Sequence, residues 1–284
     1  MYNVKFEYGV DGASLSTMKV GGKVGRLCRP TDISSFVATL SAMEGDYIVL
    51  GNGSNVLFSS AGYDGTVILT TALTDFTATE KGFVCGAGLS LSAMALRAAE
   101  RGLCGLEFAY GIPGTVGGAV YMNAGAYGGE MKDVLKSVTC TDGKGNIITL
   151  DKEDLKLSYR HSVFMEKPLY ILSAEFAMEK GDGDEIRAKM ADNMARRKEK
   201  QPLEYPSCGS TFKRPTGYYA GALIEQCGLK GAAVGGAQVS EKHAGFIINK
   251  GGATGDDVIA LIRHVQEAVL KDTGVFLETE VKII

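Results

Sequence analysis

What this chain lacks narrows its chemistry first. Its 284 residues contain no GxGxxG and no Walker sequence, so neither a standard Rossmann dinucleotide site nor a P-loop is indicated. Gly51-x-Gly53 comes nearest, but Asn55-Val56 follows it instead of a third glycine, and Gly86-x-Gly88 lacks that glycine too. The six cysteines occur singly, without any CxxC spacing, and the three histidines (His161, His243, His264) stand far apart. A metal centre needs clustered ligands and is not expected. No signal-peptide pattern opens the chain, so the cysteines are expected as reduced thiols in a cytoplasmic protein. Positive charge is not in excess: a net charge of −3 and a pI near 5.7 give nucleic-acid binding no support.

What the chain has in excess is glycine, 38 residues, about twice the average frequency. The glycines are interspersed with Val, Ile and Leu in a chain that is 45% hydrophobic, so they mark turns in a packed protein of two or three domains. The densest stretch runs uncharged from Phe108 to Gly129 and holds seven glycines, Pro113 and Asn123. A run of that length can span a membrane, but this composition cannot sustain a lipid-exposed helix, and no membrane insertion is expected. It reads as a buried crossing whose amide N–H groups face a large bound molecule, or as a tightly packed set of core turns.

Periodicity supplies the framework. Thr31 or Asp32 caps a helix with Ile33, Phe36, Val37 and Leu40 on one face, which Gly45 stops. Tyr47–Leu50 is a short strand running into Gly51-Asn-Gly-Ser-Asn55, and a second strand follows at Thr66–Thr70. Such a loop at a strand's end offers an anion-binding concavity suited to phosphate, or is an ordinary turn. Phe83–Gly88 reads as strand and turn, and Ser90 caps a helix with Leu91, Met94, Ala95 and Ala98 inward. A hairpin spans Val134–Cys140 and Asn146–Leu150, then a strand spans Leu169–Met178. The helix over 184–200 ends in Arg196-Arg-Lys-Glu-Lys200, a solvated face or a phosphate-facing end. Thr254 with Asp257 opens a helix ended by Gly274, and Val275–Ile284 reads as a terminal strand, with Glu280 on its Phe276 and Glu278 face.

Eight segments, in order, then carry a resemblance: Ser16-Thr-Met-Lys-Val-Gly-Gly22, Gly51-Asn-Gly-Ser-Asn55, Ile112-Pro-Gly-Thr-Val-Gly-Gly-Ala119, Met122-Asn-Ala-Gly-Ala-Tyr-Gly128, Tyr159-Arg-His-Ser162, Gly209-Ser-Thr-Phe-Lys-Arg-Pro215, Val239-Ser-Glu-Lys-His-Ala-Gly-Phe246 and Leu277-Glu-Thr-Glu-Val281. Over nearly its whole length the chain resembles the UDP-N-acetylenolpyruvoylglucosamine reductases, the MurB family. The resemblance implies an α+β protein. Its FAD-binding fold is of the vanillyl-alcohol-oxidase type, with two α/β subdomains over 1–72 and 73–188, and a C-terminal α/β substrate domain covers 189–284. It implies a monomer that binds FAD non-covalently, takes electrons from NADPH and reduces UDP-N-acetylglucosamine enolpyruvate.

By the same resemblance Gly51, Asn52, Gly53, Ser54 and Asn55 look like the pyrophosphate loop, and Gly114, Thr115, Gly117, Gly118, Asn123 and Gly125 run beside the flavin. The reaction needs a cation on the substrate carboxylate, an acid near the developing charge and a proton donor. Arg160, Glu280 and Ser210 look like these three, and Lys200, Lys213, Arg214 and His243 like substrate contacts. Ser16, Met18 and Arg214 depart from the commoner Asn, Phe and Asn, which puts local contacts in doubt. The 178–200 connection leaves no room for a tyrosine-bearing loop, so the chain looks like the family's shorter, second type. An FAD-dependent oxidase of the same superfold, with flavin held through Cys85 or Cys104, stays open beside this reading, as does a flavin- or nucleotide-sugar-binding sensor.

Overall fold

The computed structural model describes residues 5–284. Its chain divides into two compact units, neither continuous in sequence. The first holds residues 5–7, Leu27–Asn52 and Thr66–Arg197; the second holds Tyr8–Arg26, Gly53–Gly65 and Lys198–Ile284.

In the first unit, Asp32 accepts the Ser35 amide at 2.7 Å while Ser35 Oγ accepts the Asp32 amide at 3.1 Å. This capping box starts helix α1, Ile33–Ser41, as the sequence predicts, although the helix ends at Ser41, short of Gly45. Its Phe36 and Leu40 pack with Ile68, Leu73 and Leu172. Strand Tyr47–Leu50 lies parallel to Tyr63–Leu69, registered from Tyr47 opposite Thr66 to Leu50 opposite Leu69. A second, antiparallel sheet follows the order Ile147–Asp151, Leu135–Thr141, Tyr170–Ala177, Gly82–Gly86, Phe76–Thr79. Phe76, Phe83 and Phe176 meet ring to ring across three of these strands at 4.7 and 5.4 Å. Tyr47 and Tyr170 share a 2.7 Å hydroxyl hydrogen bond that ties the two sheets together. Helix α2, Leu91–Glu100, is capped by Ser90 and buries the four residues its spacing selects. Short helices α3, Val116–Tyr121, and α4, Met131–Val134, carry the glycine-rich crossing, and α5, Gly183–Lys200, closes the unit.

In the second unit, strands Ser207–Ser210, Phe246–Asn249, Ala237–Val239 and Ala233–Val234 form an antiparallel sheet in that order. Helix α6, Ala220–Gln226, and helix α7, Gly255–Thr273, bury Leu223, Ile224, Val258, Leu261, Ile262 and Val265 in its core. The sequence reading missed α6, because seven residues inside a glycine-rich path show barely two turns of periodicity. The expected terminal strand is also corrected. Only Lys282–Ile283 is a strand, parallel to Val56–Leu57, and Thr279 bridges Phe212 instead. The segment changes partner midway, which an alternating pattern cannot reveal. No helix among the described residues is long and apolar enough to cross a membrane.

Helix α7 rests on a reciprocal cap in which Thr254 Oγ1 accepts the Asp257 amide at 3.1 Å and Asp257 accepts the Thr254 amide at 2.8 Å. Thr254→Ala removes one half of it, and the expected loss is about 1 kcal/mol in a denaturant titration.

Candidate active site

The crossing that dominates the sequence is built by close backbone approach. In the first unit, a Cβ on Gly51 would overlap Thr115 Oγ1, and Asn52 Nδ2 donates to Pro113 O at 2.6 Å. Residues 51–52 and 113–115 are therefore in contact. The Val116 and Gly117 amides donate to Leu89 O and Ala87 O at 2.9 and 2.8 Å, and the Gly118 amide reaches Thr115 Oγ1 at 3.4 Å. These three amides are spent on the protein, which corrects the expectation that the crossing turns its N–H groups outward along its length. The Gly114 and Thr115 amides, with that of Asn52, have no acceptor among the described residues. Gly118 is exposed and Thr115 buried.

Asn123 is fully buried, at φ +41°, and its side chain is saturated. Its Nδ2 donates to Glu130 Oε2 at 2.7 Å and to Ser158 O at 2.9 Å, while its Oδ1 accepts the Lys132 amide at 3.0 Å. Gly125 pairs with Glu130 in a short two-stranded ladder. Arg160 occupies a two-residue turn closed by paired 3.2 Å hydrogen bonds between Ser158 and His161. It sits there at φ +53°, a left-handed conformation that such a turn ordinarily gives to glycine. Its Nη2 donates to Gly125 O at 3.4 Å, and its guanidinium lies 5.1 Å from the Tyr159 ring centroid. The structure thus brings Asn123, Gly125 and Arg160 together.

In the second unit, Gly53 takes φ +62° with its missing Cβ directed onto Leu15 O. Its own carbonyl accepts the Thr17 amide at 3.1 Å, and the Gly53 and Ser54 amides have no acceptor among the described residues. Asn55 is turned the other way, donating from Nδ2 to Glu280 O at 3.0 Å. Ser210 ends its strand at a register shift, two positions after buried Cys208 and next to Gly209 at φ +72°. Its Oγ makes no hydrogen bond to any described residue. The Glu280 amide donates to Thr211 O at 2.8 Å, so Glu280 lies alongside Ser210-Thr211. Cys208 Sγ contacts Val56 O, Ser16 Oγ and Thr17 Oγ1, and burial pushes its thiol pKa up.

His243 is half-buried, edge-on to Phe246 at 4.9 Å, and its Nδ1 accepts the Gly245 amide at 3.1 Å. Burial lowers its pKa, which keeps the ring neutral near pH 7. Phe246 pairs with Ser210, so His243, Ser210 and Glu280 share one corner of the sheet. The cations are less free than the sequence suggests. Lys213 is paired with Glu278, Arg214 stacks on Tyr219 at 4.4 Å, and Lys200 is exposed.

Glu107 is not singled out by the sequence, and Arg197 enters only as part of the Arg196–Lys200 run, whose reading as a solvated face its burial corrects. Arg197 is 7% exposed and 5.6 Å from the Tyr127 ring, and burial lowers its pKa. Glu107 is also buried and accepts the Gly105 amide at 3.1 Å. For Arg197 a signal existed: it continues the buried face Ile186, Met190, Asn193 of α5 at helical spacing.

Comparison with known proteins decides the family. Residues 201–284 match the family profile described as UDP-N-acetylenolpyruvoylglucosamine reductase, C-terminal domain, and residues 25–151 match the one described as FAD binding domain. A UDP-N-acetylenolpyruvoylglucosamine reductase of Agathobacter rectalis is 50% identical, covering 95% of this chain and 90% of that protein. One from Caldanaerobacter subterraneus is 47% identical over the same shares. This chain belongs to the UDP-N-acetylenolpyruvoylglucosamine reductase family. The crystal structure of that reductase, MurB, from Thermus caldophilus is 36% identical, with a TM-score of 0.85 over 99% of this chain and 98% of that one.

Among MurB motifs, the Gly51–Asn55 loop gives the sharpest structural test. Gly53→Ala combines a left-handed φ with an overlap onto Leu15 O. It is expected to cost more than 1 kcal/mol, read as a lowered Tm of the purified protein.

Proposed function

We propose that the protein is an FAD-dependent reductase that uses NADPH to convert UDP-N-acetylglucosamine enolpyruvate to UDP-N-acetylmuramate. The observation that carries this reading is Ser210: a hydroxyl with no partner among the described residues, at a strand irregularity beside Glu280, in a chain of this family.

The residues fit a bound FAD. Unspent amides at Asn52, Gly53 and Ser54 suit a pyrophosphate, with Gly51 and Asn55 completing the loop. Gly114 and Thr115 add two more, while exposed Gly118 offers Cα surface against which a flat ring can lie and Gly117 packs on Ala87 behind it. Asn123 and Gly125 contribute backbone, since the Asn123 side chain is engaged elsewhere. Held by these residues, FAD would supply the two-electron transfer that links NADPH oxidation to reduction of the substrate's double bond.

This chain's own groups manage the charge that results. Arg160 holds the substrate carboxylate through its planar fork and stabilises negative charge that spreads onto it. Ser210 Oγ gives its proton to the carbanionic carbon beside that carboxylate. Serine is a weak acid, so this requires a strongly basic carbanion positioned beside the hydroxyl. Glu280 polarises and orients the site. Lys200, Lys213, Arg214 and His243 contact the UDP-sugar, His243 as a neutral hydrogen-bonding ring. Flavin attachment through cysteine finds little support. Burial pushes the Cys85 thiol up to about 12, and Cys104 Sγ donates to Glu179 O.

For the division into 1–72, 73–188 and 189–284, the support is that each of the three larger sheets lies within one segment, although the two-stranded pairing of Lys282–Ile283 with Val56–Leu57 joins the first segment to the last and the two compact units divide the chain elsewhere. A monomer working in the cytoplasm, in peptidoglycan precursor synthesis and hence in cell-wall growth and division, completes the proposal.

Acid precipitation is expected to release all flavin into the supernatant; flavin left on the chain would refute non-covalent binding. Ser210→Ala is expected to slow flavin reoxidation by the enolpyruvyl substrate about a hundred- to ten-thousandfold, with NADPH reduction unchanged. Ser210→Cys should recover part of that loss. Equal slowing of both half-reactions in stopped flow would assign the proton to another group.

A further inference from the structure

Arg160 sits in a backbone conformation that costs free energy for any residue but glycine. Something must over-determine that turn, and its contacts identify what does. Ser158 O, at the start of the turn, accepts from Asn123 Nδ2 at 2.9 Å. Beyond its end, buried Ser162 Oγ donates to Tyr121 O at 2.7 Å. The Asn123 amide cannot swing away, because its second N–H is given to Glu130 Oε2 and its oxygen is held by the Lys132 amide. Glu130 is fixed in turn by the Lys132 ammonium at 3.2 Å and through its own amide to Asp133. The same Glu130 pairs with Gly125, whose carbonyl accepts from Arg160 Nη2.

We propose that Asn123 is a positioning residue for the reduction of substrate: with Glu130 as its anchor, it holds the Ser158–His161 turn so that the Arg160 guanidinium stays at the substrate carboxylate. The residue falls within the stretch assigned to the flavin, yet its side chain serves the substrate half of the reaction. This rests on the role of Arg160 proposed above. Serine at position 123 is too short to reach Ser158 O, and the turn then relaxes away from the left-handed conformation. A displacement of about 1 Å in a group that orients substrate costs on the order of a hundredfold.

The test is stopped flow on the flavin-loaded enzyme, measuring reduction by NADPH and reoxidation by enolpyruvyl substrate separately, for Asn123→Ser, Arg160→Lys and the double variant. Asn123→Ser is expected to slow reoxidation about a hundredfold, leave reduction within about twofold and retain its flavin. In the Arg160→Lys background the same change should add almost nothing, because both act through one contact. Additive losses, equal slowing of both half-reactions, or loss of flavin would overturn the proposal. Normal reoxidation in Asn123→Ser with Arg160→Lys impaired would overturn it while leaving the role of Arg160 standing. Normal reoxidation in Arg160→Lys and Arg160→Ala alike would instead remove the role of Arg160, and this proposal with it. Should Asn123→Ser not fold, Glu130→Ala takes its place, because Glu130→Gln would still offer Asn123 Nδ2 an acceptor. A reoxidation-selective loss supports the proposal, and no loss or an unselective one overturns it.

Discussion

Backbone lies against backbone throughout this molecule, and the absence of a side chain at the points of contact is the condition for everything else. Gly53 meets Leu15 O, Gly86 meets Leu73 O and Gly255 meets Phe58 O at separations that any Cβ would close. Each contact is internal to one unit, so each unit depends on it separately. Such approaches do two things at once. They let short strands and turns stack densely enough to bury their apolar residues, and they expose amides that a bulkier residue would cover. Both effects are visible unit by unit: in the first, Gly51 packs on Thr115 and leaves the Asn52 amide over; in the second, Gly53 packs on Leu15 and leaves the Gly53 and Ser54 amides over.

The proposed catalytic groups stand on the other kind of backbone, the irregular kind. Arg160 is in a left-handed turn, Ser210 at a register shift, and Glu280 in a terminal segment that pairs with Thr211 before joining Val56–Leu57. Irregular positions aim side chains where a regular strand would not, and they persist only where neighbours over-determine them. Here the neighbours are polar side chains with every bond assigned. Asn123 holds the Arg160 turn, and Thr211 Oγ1 accepts the Ile247 amide one residue beyond Ser210.

This division explains what could be read from the sequence. Helices α1, α2 and α7 announce themselves through local chemistry: a cap, an apolar period and, for α2 and α7, a glycine at the end. The 134–150 hairpin does so through Asp142, which accepts the Lys144 and Asn146 amides. The terminal segment misleads because its apolar alternation is real, with Leu277 and Val281 buried, while its pairing partners are set by residues far away in sequence. The glycine crossing is legible as a crossing, but not the fate of its amides: Ala87 and Leu89, which consume those of Gly117 and Val116, lie outside the motif. Asn123 is legible as polar in an apolar run. Its partners Glu130 and Ser158 could be found only in three dimensions.

The hydroxyls around Ser210 sharpen the case for its role in a way no motif could. Ser16 Oγ donates to Val56 O at 2.5 Å and Thr17 Oγ1 to Ser207 O at 2.7 Å. Ser240 Oγ accepts the amides of Lys242 and His243, each at 3.2 Å. A hydroxyl that already donates to a carbonyl must give up that bond before it can deliver a proton, and the lost bond adds to the barrier. Those that accept backbone amides hold turns in place and cannot swing without loosening them. Among the described residues Ser210 carries neither burden, so in the proposed mechanism its proton reaches the carbanion with no such bond to give up. Weak acidity sets the cost of the transfer, and a neighbouring carboxylate such as Glu280 cannot reduce it by making serine more acidic. In the proposed mechanism Glu280 is therefore given the orienting and polarising of the site, and Ser210 the proton.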